Sequence, residues 1–488
     1  MAHRRRTKII ATLGPATDAP GMLSRILEAG VDVVRLNMSH GQAEDQLRRA
    51  EELRQTAAAL GVEVGILADL QGPKIRIERF AAGPVELKPG DPFVLDCAAD
   101  APPGTAHRVG VSYKRLHQDA RPGDTLLLDD GMLSLKVERI DGLAIHCQVL
   151  IGGKLSDRKG INRLGGGLSV DALSDKDRRD IELAARMGAD YLAVSFARSA
   201  ADMNQARALL RGAGSSAALV AKIERAEALD NLAEIIDASE AVLVARGDLG
   251  VEIGYAELPG LQKRIIRETL SRHKVVITAT QMLQSMVESP IPTRAEVLDV
   301  ANAVIDGTDA VMLSQETAAG RHPDQAVAAM RDICTAAERQ FQGSESSLPA
   351  PTEIHRIDQA IAMAAMALAN RTGVRAIVAL TESGATAQWL SRFRSPIPIY
   401  AMSRSQPSRQ RMALFRDVYP VAFDPPREGG AAHAARLAVE LLFAQGRLVA
   451  GDRVVVTTGD HTGLLGGTNT LKLLRVGSQG TPEGMSEL

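Results

Sequence analysis

The chain has 488 residues, 45% of them hydrophobic and 24% charged, with a formal net charge of −2. That length exceeds one ordinary core and predicts several domains of a globular protein, while the near-neutral charge excludes a general attraction to nucleic acid or to an anionic membrane. No run approaches the ~20 apolar residues of a membrane helix, the basic start MAHRRR reads as a solvated tail, and three scattered cysteines (Cys97, Cys147, Cys334) fit a reducing cytoplasm.

In chain order, eight short apolar runs stand out: TKIIATLG (7–14), DVVRLNMS (32–39), VGILADLQ (64–71), YLAVSFA (191–197), ALVAKIE (218–224), AVLVARGD (241–248), KVVITATQ (274–281) and AVMLSQE (310–316). Amphipathic helical stretches such as 19–30 and 175–188 separate them. Strands buried on both faces and alternating with helices predict a (β/α)8 barrel over 1–71 and 169–343. Between the third and fourth runs, residues 72–168 carry Pro/Gly turns and short alternating strands, and predict an inserted all-β domain. After the polar break at 343–353, helix and strand alternate again through 375–381, 397–403, 418–423, 453–459 and 470–476. This predicts a C-terminal α/β domain over 350–488, with a frayed tail after Val476.

The chemistry of such a barrel sits at the C-terminal ends of its strands. Those ends carry Thr12; Arg35, Asn37 and Ser39; Asp69; Ser195; Lys222 and Glu224; Arg246 and Asp248; Thr280; and Ser314 and Glu316. A single strand-end Asp, Ser or Thr is often only the cap of the next helix, but eight strands converge on one mouth. Residues i and i+2 of a strand share a face, so Lys222 is expected beside Glu224 and Arg246 beside Asp248. Glu224 and Asp248 offer hard oxygens of the kind that hold Mg²⁺. The ARGDLG turn at 245–250 offers backbone N–H groups to a small anion, and Lys222, Arg35 and Arg76 add positive charge. Cations, a divalent metal and no covalent nucleophile are the parts of phosphoryl transfer. No Walker-type loop is present, and the GGG at 165–167 reads as a turn.

The stretches TKIIATLGPAT (7–17), VVRLNMSHG, DLQGPKIR, LLLDDG, KIERAEA, VARGDLGVEI, ITATQMLQSM, PTRAEVLDVANAV and DAVMLSQETAAG resemble the pyruvate kinase family. The resemblance implies transfer of the phosphoryl group of phosphoenolpyruvate to ADP, giving ATP and pyruvate in the cytoplasm. It places Glu224 and Asp248 on Mg²⁺, with Mn²⁺ a possible substitute. Ala245, Arg246, Gly247, Asp248 and Thr280 fall around the pyruvate carboxylate, Lys222 on the moving phosphoryl group and Arg35 on phosphate. Asn37, His40, Arg76 and Lys159 face the nucleotide under the β lid. Thr280, with water reaching Ser314 and Glu316, is the expected proton route to enolpyruvate.

The resemblance further implies a homotetramer and an effector pocket where Thr381, Ser383, Gly384 and Thr386 meet the loop at 459–470, for AMP or a sugar phosphate. Ala385 replaces a basic residue common there. It also implies a potassium cage from Asn37, Ser39, Asp69 and the Leu70 carbonyl. Potassium-requiring relatives carry Glu where this chain has Lys74, whose ammonium is a permanent positive charge, so activity without K⁺ is expected.

Two rival readings remain at this level. A metal-dependent lyase or aldolase acting on a 2-oxo acid would leave the lid and the arginines without a role. An inactive barrel kept as a metabolite-binding regulator would be expected to lack one of Lys222, Glu224 or Asp248, and all three are present.

Overall fold

A computed structural model describes residues 4–340, 354–393, 395–426, 428–460 and 466–483. The eight apolar runs form the barrel strands β1 (Lys8–Thr12), β2 (Val33–Asn37), β3 (Gly65–Asp69), β4 (Tyr191–Val194), β5 (Ala218–Ile223), β6 (Ala241–Ala245), β7 (Val275–Ala279) and β8 (Ala310–Leu313). They close in parallel, with β8 pairing back to β1. Strand residues pointing outward, such as Ile9, Val34 and Ile66, join the helix layer in one core. Those pointing inward, such as Ile10, Leu67, Val220 and Ile277, belong to a second core shared with Met366, Ile377, Leu390 and Met412 of the C-terminal domain. The C-terminal domain therefore plugs the floor of the barrel, and only the opposite mouth is free for chemistry.

Sequence capping fixes the helix starts. Ser174 accepts from Asp177 N, and the Asp177 side chain returns to the Ser174 N–H, opening helix Asp175–Arg186. Thr293 and Glu296 do the same for Arg294–Asp306. The insertion after β3 holds a six-stranded sheet and a two-stranded ribbon around Phe93, Leu95, Leu126, Leu135 and Ile145. In the C-terminal domain, strands Ala376–Leu380, Ile399–Ser403, Val418–Ala422 and Arg453–Gly459 run parallel. Thr468–Val476 returns antiparallel. Pro482–Glu483 then pairs with Arg475 and Val476, so the segment just after Val476 is part of the sheet and not frayed, because its extended backbone completes an otherwise open edge. The polar break at 343–353 lies outside the described residues. Among the described residues no helix is long and apolar enough to cross a membrane.

One buried ion pair ties the floor to the barrel. The Arg392 guanidinium reaches both oxygens of Asp309 at 2.6 and 2.9 Å, with side-chain exposures of 3% and 1%. Asp309 also accepts from Val276 N at 2.8 Å, and Gln388 donates to the His273 carbonyl at 3.0 Å. Arg392→Met leaves the Asp309 carboxylate buried without its cation, and such a break costs about 3–5 kcal/mol. The expected result is a clearly lower urea midpoint for the whole chain; an unchanged midpoint would show that the pair does not join the domains.

Candidate active site

At the mouth the strand ends place Lys222 at the centre of a charged cluster. Its Nζ lies 2.9 Å from Glu224 Oε1 and 3.2 Å from Asp69 Oδ1, and donates to Ser195 Oγ at 2.6 Å. Ser195 in turn donates to the Leu70 carbonyl at 2.8 Å. Arg35 Nε donates to Asp69 Oδ2 at 2.6 Å and its Nη1 to Thr12 Oγ1 at 3.1 Å. The second oxygen of Glu224 accepts from Phe196 N at 2.7 Å. The alternation of β5 thus does what the sequence predicts, setting Lys222 and Glu224 on one side, both buried.

Burial alone would strip the Lys222 ammonium of its proton, but Asp69 and Glu224 override it and hold the group above the ordinary lysine value. Burial also opposes charge on Asp69, yet Lys222 and Arg35 hold its carboxyl below the usual range. Glu224 goes the other way: burial, together with the nearby Asp248, raises its pKa in spite of Lys222. Glu224 and Asp248 thus bring two carboxylates to one side of the cluster, against the Lys222 and Lys74 ammonium groups. Paired carboxylate oxygens of this kind fit a divalent cation. Among the described residues no group of three or more His, Cys, Asp or Glu side chains forms a metal cluster. Two carboxylates suit Mg²⁺, which keeps waters and substrate oxygens, better than zinc.

Asp248 and Arg246 do not stand side by side. Helix Arg246–Ile253 begins at Arg246 itself, so the two residues are separated by helical rotation and not by the strand alternation assumed from the sequence. The Arg246 side chain turns into the barrel wall, donating to the carbonyls of Ala279 at 3.0 Å and Thr280 at 2.6 Å and pairing with Asp299 at 2.6 Å. It braces a strained turn: Thr280 and Gln281 sit at φ +69° and +55°. What this segment presents is the start of its helix, where Gly247 N donates to Thr280 Oγ1 at 2.9 Å.

The remaining candidates divide. Asn37 and Asp69 are paired neighbours on β2 and β3, and Asn37 Oδ1 accepts from Ser39 N at 3.1 Å. Lys74 reaches the Asp248 side of the mouth: its Nζ lies 3.3 Å from Asp248 Oδ1 and 3.7 Å from Asp130 Oδ1 of the insertion. Burial disfavours its charge, but Asp248 and Asp130 raise its pKa. His40 is exposed, Arg76 donates to the Arg158 carbonyl at 2.9 Å, and Lys159 pairs with Asp129 at 2.8 Å. Glu316 is fully buried, and its oxygens accept from Leu283 N at 3.1 Å and Ser314 N at 2.7 Å, locking together the loops after β7 and β8.

Sequence reasoning missed the contacts at the base of the insertion. Arg225 pairs with Glu252 at 3.2 Å, both nearly inaccessible, and also donates to the Leu168 carbonyl. Gly165 N donates to the Glu252 carbonyl and Gly167 N to Glu227. Gly165, Gly166 and Gly167 all lie at φ between +77° and +88°, a left-handed run that glycine alone adopts cheaply. Where the chain enters the insertion, Gly72 has φ +69°, and a Cβ there would meet the Phe196 ring at 2.7 Å. Since Phe196 N holds Glu224, Gly72→Ala should lose about 1–3 kcal/mol and raise the Mg²⁺ concentration needed for half-maximal activity. Equal Mg²⁺ titrations of the two proteins would refute the link.

A closed barrel with a lysine–carboxylate cluster at its free mouth, beside an inserted β domain, defines a barrel phosphotransferase. Two family models match the chain: "Pyruvate kinase, barrel domain" over residues 4–327 and "Pyruvate kinase, alpha/beta domain" over 359–474. The chain belongs to the pyruvate kinase family. It is 52% identical over 476 residues to "Pyruvate kinase II" of Salmonella typhimurium, covering 97% of this chain and 99% of that one. It is 50% identical over 459 residues to the pyruvate kinase of Haemophilus influenzae, covering 93% and 96%. A crystal structure of a pyruvate kinase from Cryptosporidium parvum superposes with TM-score 0.89 at 32% identity, covering 96% of each chain.

Proposed function

We propose that the chain transfers the phosphoryl group of phosphoenolpyruvate to ADP at this mouth, giving ATP and pyruvate in the cytoplasm. The observation that carries the reading is the Lys222 ammonium, held charged between Asp69 and Glu224. It stands where a phosphoryl group in transit needs fixed positive charge, preorganised and with no solvent to rearrange. Arg35, fixed by Asp69, holds phosphate from the other side. Glu224 and Asp248 would hold Mg²⁺ or Mn²⁺, which when bound neutralises phosphoryl oxygens as a Lewis acid. The N–H groups at the start of helix Arg246–Ile253 and Thr280 orient the carboxylate of the substrate. Water reaching Ser314 and Glu316 supplies the proton that Thr280 relays to the enol carbon, the hydroxyl regaining a proton from that water as it gives up its own. His40, Arg76 and Lys159 meet the nucleotide as the lid excludes water. A lactate-dehydrogenase-coupled assay should show pyruvate formed from phosphoenolpyruvate only when ADP and Mg²⁺ are both present; pyruvate release without ADP would contradict the transfer.

The family resemblance supports a homotetramer. It also supports an effector pocket at the far end of the C-terminal sheet. Thr381, Ser383, Thr386, Arg404 and Thr468 line one cleft there. Thr381 Oγ1 accepts from Gly384 N at 3.0 Å, and Thr386 and Thr468 share a 2.7 Å hydroxyl contact. The hydroxyls and N–H groups suit the phosphate of AMP or a sugar phosphate. Residues 461–465 of the facing loop lie outside the described residues. Thr386→Glu puts a carboxylate into this cleft. It should abolish the shift of the phosphoenolpyruvate saturation curve by these ligands while leaving unstimulated turnover unchanged; a retained shift would sink the pocket.

A further inference from the structure

On the opposite end of the C-terminal domain, a cavity of about 660 Å³ opens between the segment before β1 and the start of the parallel strands. That volume is within the range of small-ligand sites. Its wall carries Tyr400 and Tyr419, with ring centroids 6.0 Å apart. Two guanidinium groups crowd these rings. Arg4 Cζ lies 4.4 Å from the Tyr419 centroid and 5.6 Å from that of Tyr400, and Arg447 Cζ lies 5.3 Å from the Tyr400 centroid. Lys8 Nζ approaches Tyr419 as well, at 4.8 Å.

The aromatic faces hold these cations in place, but a ring quadrupole does not neutralise a charge. Among the described residues neither Arg4 nor Arg447 makes an ion pair in this cavity. Arg4 donates to the Tyr400 hydroxyl at 2.9 Å, while the buried Nη1 of Arg447 has no hydrogen-bond partner. The carboxylate lining the cavity, Asp417, lies against Arg6 at 3.9 Å and Arg416 at 3.7 Å. It therefore belongs to other cations. Burial, and then the repulsion of Arg4, push the Arg447 guanidinium below its ordinary value. Two like charges are thus fixed on one tyrosine ring with the counter-charge missing.

We propose that this cavity is a binding site for a small phosphoryl-bearing anion, separate from both the barrel mouth and the cleft at Thr381. Guanidinium groups present planar pairs of donors that match phosphate oxygens. Two of them on one ring offer more donors than a single carboxylate can accept. A ligand here would touch both the segment entering β1 and the C-terminal sheet. It would thereby stiffen the junction that plugs the barrel floor.

The test is isothermal titration calorimetry of the full chain with inorganic pyrophosphate, without divalent metal, using wild type, Arg4→Ala, Arg447→Ala and Thr386→Glu. Thermal melting without ligand checks that each variant is folded, and Arg447→Lys serves as a second variant that keeps the charge but loses the fork. The expected result is a binding event weakened at least tenfold in Arg4→Ala and Arg447→Ala, partly restored in Arg447→Lys and retained in Thr386→Glu, which removes only binding at the Thr381 cleft. Identical isotherms for wild type and both arginine variants would overturn the site. Tighter binding of citrate than of pyrophosphate, lost in the same variants, would overturn its assignment to phosphoryl ligands.

Discussion

Replacing Lys222 by methionine is expected to lower turnover by on the order of 10³-fold or more, the scale on which a preorganised electrostatic group acts. The structure adds that the loss is not confined to chemistry. Lys222 separates Asp69 from Glu224 at 3.2 and 2.9 Å, so its removal leaves two buried carboxylates facing each other. Asp69 keeps Arg35; Glu224 keeps only the Phe196 N–H. Glu224 already has a raised pKa from burial and Asp248, opposed by Lys222, and without Lys222 it rises further. A carboxyl that binds its proton more tightly when folded stabilises the fold at low pH, and that stability is lost as pH rises through the folded value. Lys222→Met should therefore unfold more easily at pH 8 than at pH 5.5 relative to wild type, measured by urea titration at the two pH values. Activity within tenfold of wild type would remove Lys222 from the centre of the mechanism.

The second large effect belongs to Lys74. Its ammonium rests 3.3 Å from Asp248 and 3.7 Å from Asp130, bringing a fixed charge to the Asp248 side of the mouth. Lys74→Glu replaces that cation with a third carboxylate near Asp248 and Glu224. At an effective dielectric near 20, charges about 4 Å apart interact by ~4 kcal/mol, so removing the attraction alone is worth on the order of 10²-fold or more. The wild-type chain is expected to be as active in sodium as in potassium at equal ionic strength. Lys74→Glu should be nearly inactive in sodium and regain most of its rate in potassium. A wild-type rate that rises more than tenfold with K⁺ would contradict this role for Lys74.

Much of the architecture was legible because its signals are local. Runs such as YLAVSF and AVLVA are short, apolar and bounded by polar residues, and their burial on both faces leaves few alternatives to a parallel barrel. The Lys222–Glu224 pairing followed from strand alternation alone. The Arg246–Asp248 pairing failed because it depended on where the strand stops: β6 ends at Ala245 and the next residue is already helical. ARGDLG reads as a turn opening a helix, but with no Ser, Thr or Asp cap before it nothing local marks the residue where the strand stops.

The contacts at the base of the insertion were invisible for a different reason. Arg225 sits beside the conspicuous Lys222 and Glu224, and Glu252 is 27 residues later in chain order, so their contact under Leu168 is a tertiary fact. The same holds for Arg392 and Asp309, whose pairing makes the C-terminal domain the floor of the barrel. Lys74 was noticed by sequence for its charge, but its partners Asp248 and Asp130 come from two separate domains that meet only in the fold.

The central claim is direct transfer of one phosphoryl group from phosphoenolpyruvate to ADP at Lys222. The most direct measurement is ³¹P NMR of the chain incubated with phosphoenolpyruvate, ADP and Mg²⁺. The account predicts that the phosphoenolpyruvate signal falls as the γ-phosphate signal of ATP rises in equal amount, with no orthophosphate, and that Lys222→Met abolishes the exchange. Orthophosphate appearing in place of ATP, or ATP formed at the same rate by Lys222→Met, would contradict it.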